Sequence, residues 1–249
     1  MRYFLGLEFD GTNYHGWQNQ PNALSVQEVL EKALSTLIGA EISIVGAGRT
    51  DAGVHAELMY AHFNCDGIID LKNLHFRLNA FLPYDIAIKS IEPVNNDAHA
   101  RFDATSRSYI YRIHNRKDVF LKDRSYYLHQ DLNLAKMNEA GEILLRYSDF
   151  ECFSKNNTDV KTFICDIKSA IWLQNEHLLE FRITADRFLR NMVRAIVGTM
   201  INIGCGKVDL NDLHEIIKSK NRTNAGYSVP AHGLYLTDVS YPKTIYLNQ

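Results

Sequence analysis

Three features of the sequence predict an α+β fold. Residues 2–9 alternate with strand period, residues 25–38 carry an apolar stripe with helix period, and the order strand–helix–strand–strand–helix–strand follows and then recurs. In the first strand Tyr3, Leu5, Leu7 and Phe9 share one face. The helix stripe is Val26, Val29, Leu30, Ala33, Leu34, Leu37 and Ile38. Ser25 and Glu28 have capping-box spacing at its start, and Gly39 suits its C-terminal stop. Strands are expected near 41–46 and 56–65, a helix near 71–79 behind Asp70, and a strand near 85–92. The second half offers a strand at 107–114, a helix at 133–146, and strands near 162–173 and 177–185. Helices at 187–203 and 210–219 follow, then a last strand near 233–241. The pattern is ferredoxin-like in each half. The expectation is therefore two ferredoxin-like halves, residues 1–103 and 104–249, forming one extended, mostly antiparallel sheet with helices on one face. No Gly/Ser-rich or Pro-rich linker separates them, and the tail from Lys243 to Gln249 reads as a loosely ordered end.

Composition narrows the function classes. Of 249 residues, 46% are apolar and 22% charged, as in globular chains, and no apolar run approaches the ~18 residues that span a bilayer. The start, with Glu8 inside what would be its apolar stretch, does not read as a signal peptide. Four scattered cysteines (65, 152, 165, 205) suggest neither a disulfide framework nor a cysteine zinc site. A cytoplasmic protein without a membrane partner is expected. The formal net charge of −2 hides an asymmetry. Residues 1–100 hold 6 basic and 12 acidic residues, and the remainder 21 and 17. Between Arg101 and Arg124 seven basic residues face three acids. Such a bias fits a polyanion contact as well as a solvated surface.

The densest chemistry lies in Gly46-Ala47-Gly48-Arg49-Thr50-Asp51-Ala52-Gly53-Val54-His55-Ala56, between two predicted strands. Its glycines permit backbone conformations and close approaches closed to other residues. Between them stand a cation, a hydroxyl and a carboxylate. A turn with an Asx hydrogen bond and a surface arginine would look the same.

This loop resembles the signature of the TruA-type tRNA pseudouridine synthases. Six further blocks match in order: Phe9-Asp10-Gly11-Thr12-Asn13-Tyr14-His15-Gly16-Trp17-Gln18, Leu78 to Ile86, His99 to Thr105, Arg107-Ser108-Tyr109-Ile110-Tyr111, Phe188 to Arg194, and Gly233-Leu234-Tyr235-Leu236. The resemblance implies an isomerase that converts uridine to pseudouridine at positions 38, 39 and 40 of the tRNA anticodon stem-loop. It implies no cofactor and no metal, since the reaction involves neither redox change nor transfer to a second molecule. It also implies a homodimer with tRNA across both protomers.

The same resemblance makes Asp51 the catalytic carboxylate and the expected nucleophile. Attack on ribose C1′, attack on uracil C6 and assistance to glycal formation all remain open. Arg49 is placed either to pair with Asp51 and hold its pKa down, or to fill the space left by a flipped uridine. Tyr109 is the family's active-site aromatic, suited to stacking on uracil or taking part in C5 deprotonation, and Tyr111 takes the packing role. Arg187, Arg190 and Arg194, at i, i+3 and i+7, would share a helix face, which fits a contact with phosphates as well as an ordinary solvated surface. The family places the Arg matching Arg194 near the catalytic Asp, leaving Arg187 and Arg190 as the phosphate candidates. Asp186 departs from the Gly or Asn more usual there and would oppose phosphate binding.

Three rivals can be named. Glu8-Phe9-Asp10-Gly11-Thr12 resembles a haloacid dehalogenase phosphatase motif, but Glu8 stands where the nucleophilic Asp belongs. His55-Ala56-Glu57 fits a zinc deaminase fragment, but its Pro-Cys-x-x-Cys partner is missing. A non-catalytic RNA-binding module is the third, and the intact Asp51 loop argues against it.

Overall fold

The computed structural model describes residues 1–66, 70–155 and 160–247. The fold is α+β, with nine strands and five α-helices among these residues. Contacts divide it into two compact units, Met1–Thr105 with Tyr235–Gln249, and Ser106–Leu234.

In the first unit β1 (Arg2–Phe9) runs between β3 (His55–Asn64) and β4 (Ile86–Val94), antiparallel to both. β2 (Ile44–Gly46) pairs with the far half of β3, Ile44 opposite Phe63. β9 (Leu234–Ser240) pairs in parallel with its near end, His55 opposite Tyr235. The last strand, which the division at 103/104 leaves with the second half, is thus joined to the first unit. β1 is buried on both faces: Phe4, Leu5 and Leu7 are all fully covered. Phe4 meets the rings of Tyr60, Tyr241 and Tyr246, at 6.2, 5.0 and 6.3 Å. That cluster explains why the tail is ordered against expectation. Ile245 is buried, and Leu247 N–H donates to Pro93 O at 3.3 Å. The last two residues of the tail, Asn248 and Gln249, lie outside the described residues.

Helix α1 (Val26–Ile38) begins where Ser25 Oγ accepts from Glu28 N–H at 3.1 Å, and ends at Gly39 in the left-handed region, φ 81°. α2 (Leu71–Phe81) starts on the Asp70 side chain, which accepts from Asn73 N–H. Each helix therefore sits where its caps and stripe place it.

In the second unit β8 (Leu178–Ala185) lies between β5 (Ser106–His114) and β7 (Ile167–Asn175), antiparallel to both. A two-residue strand not foreseen, β6 (Tyr126–Tyr127), adds in parallel to β5. The helices are α3 (Leu134–Leu144), α4 (Met192–Gly204) and α5 (Leu210–Ser219). Tyr111, Phe150, Phe153, Trp172, Phe181 and Val197 are among the residues of its core.

Two expectations change here. β7 begins at Ile167, not near 162. More consequentially, α4 begins at Met192, not 187, because Asn191 takes a left-handed conformation, φ 67°. Arg187 and Arg190 are therefore not on the helix, and the three-arginine helical stripe does not exist.

Candidate active site

In the first unit three of the sequence blocks converge on the Asp51 loop. The loop leaves β2 at Gly46 and enters β3 at His55. Ala47 N–H donates to Tyr60 O at 2.7 Å, and Val54 N–H donates to Asp51 O at 3.2 Å, closing the turn around the carboxylate. Gly53, at φ 75°, donates to Tyr14 O at 3.3 Å, and Trp17 N–H donates to Thr50 O at 3.3 Å. The loop thus rests on the 10–18 segment through main-chain bonds at both ends.

That contact is close enough to require glycine on both sides. At Gly16, φ 91°, a Cβ would overlap the Thr50 carbonyl oxygen and stand 3.1 Å from the Asp51 carbonyl carbon. At Gly11 it would overlap the Val54 carbonyl, and at Gly46 it would meet the buried Trp17 indole. Gly48 is different: its φ is not positive and a Cβ there would meet open space, so neither sterics nor backbone geometry demands it.

The 10–18 segment is itself tied down by Asp85 of the third block. Asp85 accepts from the Tyr14 hydroxyl at 2.6 Å and from Asn13 Nδ2 at 3.2 Å, and its carbonyl accepts from Asp10 N–H at 2.9 Å. Burial and the adjoining Asp85 carboxylate push the Tyr14 hydroxyl well above its usual pKa, so it stays a donor. His55, at the loop's exit, is buried and stacks on Tyr235 with centroids 4.6 Å apart. Its Nδ1 lies 3.1 Å from Gly11 N–H and 3.0 Å from Asp10 Oδ1, and one nitrogen takes one of those roles at a time. Sequence reading weighs His55 only as a metal ligand and misses this supporting place. Its position at the end of the loop motif, next to a strand, is the available signal.

Asp51 is half-buried at the surface of this frame, and Thr50 Oγ1 beside it is buried with no hydrogen-bond partner among the described residues. Arg49 is exposed, and its Nε donates to Gln18 Oε1 at 3.2 Å. Of the two roles left open for Arg49, a pairing with Asp51 is not among the bonds it makes. Gln18 holds it instead.

The second unit carries the other candidates. Tyr109, half-buried on β5, meets Phe188 edge to face at 5.1 Å and 89°. Tyr111, two residues on, is fully buried, and its hydroxyl donates to Pro230 O at 2.8 Å. Burial holds that hydroxyl far above its usual pKa. Arg194 stands in the first turn of α4, and its Nε donates to Val229 O at 2.7 Å. Arg194 and Tyr111 therefore hold adjacent carbonyls of one segment. Arg187 and Arg190 lie in the turn before α4, Arg187 half-buried and Arg190 exposed. The Asp186 carboxylate, suspected of opposing phosphate, accepts from Arg187 N–H and Asp166 N–H, both at 2.7 Å. Both bonds brace that turn.

Among the described residues no group of three or more His, Cys, Asp and Glu side chains is arranged to hold a metal ion, and no helix is long and apolar enough to cross a membrane.

Comparison with known proteins places these residues in a family. A family model described as tRNA pseudouridine synthase matches residues 7–103 and 147–242. The tRNA pseudouridine synthase A of Bacteroides fragilis is 51% identical over 248 residues, covering 99% of this chain and 98% of that protein. That of Porphyromonas gingivalis is 50% identical over 250 residues, covering 99% of each. That of Acetivibrio thermocellus is 39% identical over 239 residues, covering 95% of this chain and 98% of that protein. The chain belongs to the tRNA pseudouridine synthase family and is an isomerase that forms pseudouridine from uridine.

Proposed function

We propose that this chain acts on tRNA as a homodimer in the cytoplasm, converting the uridines at positions 38, 39 and 40 of the anticodon stem-loop, with Asp51 as the nucleophile. The observation that carries the reading is the Asp51 loop itself: a carboxylate on a turn whose main chain is bonded at both ends to a glycine-rich partner segment. A group held this way keeps its position while a bond breaks and reforms. In the reaction the ribose C1′–N1 bond breaks and a C1′–C5 bond forms. The proton leaves C5 and N1 ends protonated, so atoms and electrons balance within the nucleotide and no cofactor is needed.

Tyr109 stacks on the uracil, with Phe188 fixing its ring from the side. Arg49 acts beside the loop from its Gln18 anchor, filling the space of an extruded base. Arg194 orders the 229–230 segment and binds substrate from there. Arg187 and Arg190 meet phosphates from the turn rather than from a helix.

The test is direct. Unmodified tRNA is incubated with the protein, digested to nucleosides and read by chromatography with mass spectrometry. Pseudouridine mapped to positions 38–40 is the expected product. Binding without product would favour the RNA-binding module. Tyr109→Ala removes a base-stacking interaction of about 1–3 kcal/mol, a loss of roughly 5- to 150-fold in single-turnover rate or substrate affinity. A change under twofold would remove Tyr109 from the base-holding role. Affinity for tRNA should also fall with salt. Replacing Arg187 and Arg190 by Ala should flatten the slope of log K against log salt by about one for each phosphate no longer neutralised. An unchanged slope would show that neither arginine meets a phosphate.

A further inference from the structure

Gly11 is buried, and its N–H meets a single acceptor among the described residues, His55 Nδ1 at 3.1 Å. The same nitrogen stands 3.0 Å from Asp10 Oδ1. Whether it accepts from Gly11 or donates to Asp10, it ties the 10–11 stretch to the first residue of β3. Asp10 has other partners, since its Oδ1 accepts from Thr12 N–H at 3.0 Å and from the Thr12 hydroxyl at 2.6 Å. Gly11 N–H has no second acceptor among the described residues, and a buried donor left unpaired is costly.

That tie closes a circuit of bonds. Gly11 O accepts from Tyr14 N–H at 3.0 Å, and Tyr14 O accepts from Gly53 N–H at 3.3 Å. Gly53 leads through Val54 back to His55. Inside the circuit Val54 N–H donates to Asp51 O at 3.2 Å, and the Val54 carbonyl packs so closely on Gly11 that no Cβ fits between them. The other links are main chain, and the His55 imidazole is the side-chain link. Its stack on Tyr235, with ring planes 23° apart, fixes the direction in which Nδ1 points. Tyr235 is held there by its place opposite His55 in the pairing of β3 with β9. A shift of residues 10–11 is therefore passed to Val54, and from Val54 to the turn that carries Asp51.

We propose that His55 is a positioning residue for Asp51: through Nδ1 it closes the circuit that holds the carboxylate's turn in place, and so acts on the chemical step rather than on tRNA binding. The proposal rests on Asp51 being the reacting carboxylate, and not on which uridines are converted.

Three variants separate the bond from the bulk of the side chain. His55→Phe keeps a ring to stack on Tyr235 but loses Nδ1. His55→Asn puts an amide where Nδ1 stood, and His55→Gln puts one where Nε2 stood. Single-turnover pseudouridine formation at saturating tRNA, affinity by filter binding and a melting curve are measured for each. His55→Phe should lose at least about tenfold in saturated rate, the scale of a sub-ångström displacement of a reacting group, with affinity within about twofold of wild type. His55→Asn should be at least about threefold faster than His55→Phe, because it restores the tie to residues 10–11. A smaller loss in His55→Phe, an Asn variant without that margin, or a loss confined to affinity overturns the proposal. Should His55→Phe fail to melt cooperatively, the same margin of His55→Asn over His55→Gln decides. A role in folding alone would lower the melting temperature of all three and leave the saturated rate of the folded protein unchanged. Asp51→Asn, run alongside, keeps the two readings apart. If it retains the wild-type rate, the Asp51 reading fails; if it is inactive while His55→Phe is not, only the His55 reading fails.

Discussion

Asp51→Asn should lower the single-turnover rate of pseudouridine formation by at least about a thousandfold, since removing a nucleophile from a preorganised site commonly costs that or more. Asparagine keeps the size and the hydrogen-bonding shape of the side chain but not its charge or its capacity to attack. The loop that carries it is built from main-chain bonds, Val54 N–H to Asp51 O, Gly53 N–H to Tyr14 O and Trp17 N–H to Thr50 O, none of which uses the carboxylate. Those main-chain bonds should therefore survive the change. Affinity for tRNA should hold or tighten slightly, because one negative charge near the phosphates is gone. Filter binding and a quenched time course on the same preparation separate the two quantities. A variant that kept more than a tenth of the wild-type rate would exclude nucleophilic attack by Asp51, and parallel loss of binding would point to a structural role. Asp51→Ala guards against slow deamidation of the asparagine.

The candidate site was legible in the sequence where it is local. Asp51, the loop glycines and the 10–18 block are each short, dense in Gly and polar residues, and bounded by strands. What could not be read was which residue bonds which. Sequence leaves Arg49 two roles, one of them a pairing with Asp51 two residues on, whereas the bond it makes is to Gln18, thirty-one residues away in the chain. Likewise Gly48 looks like its neighbours on paper but has space for a side chain, whereas Gly53 takes positive φ and Gly46 abuts Trp17. A glycine's reason lies in what approaches it, and here that is a segment far upstream in the chain.

The fold was legible through period and caps. The stripe and caps of α1 mark its ends to within a residue, because both are local properties of the backbone. The arginine stripe failed for a corresponding reason. Helical periodicity continues from Arg187 through Arg194, but periodicity does not report the conformation of Asn191. One residue at φ 67° ends the helix and puts two arginines in a turn. Asp186 reinforces that turn by accepting two backbone N–H bonds. β6 escaped notice because two residues have no period, and the tail was read as loose because its anchors, Pro93 and the Phe4 ring cluster, lie at the other end of the chain.

Gly16→Ala should be the most damaging change that touches no reacting group. Position 16 holds φ 91°, which costs a side-chain-bearing residue about 1–2 kcal/mol, and its Cβ would overlap the Thr50 carbonyl oxygen. That obstacle is main chain and cannot turn aside. Relief requires the 10–18 segment and the Asp51 loop to separate, and the bond from Trp17 N–H to Thr50 O is the first to lengthen. Displacing a catalytic group by about 1 Å can cost on the order of a hundredfold in rate. The expected result is therefore a loss of roughly that size in single-turnover rate, with the melting temperature lowered by the equivalent of about 1–3 kcal/mol. Gly48→Ala supplies the contrast, since a Cβ there meets nothing within 4 Å. It should keep stability within about 0.5 kcal/mol of the wild type. If both alanine variants behaved alike, the contact between Gly16 and Thr50 would not be what holds Asp51 in place.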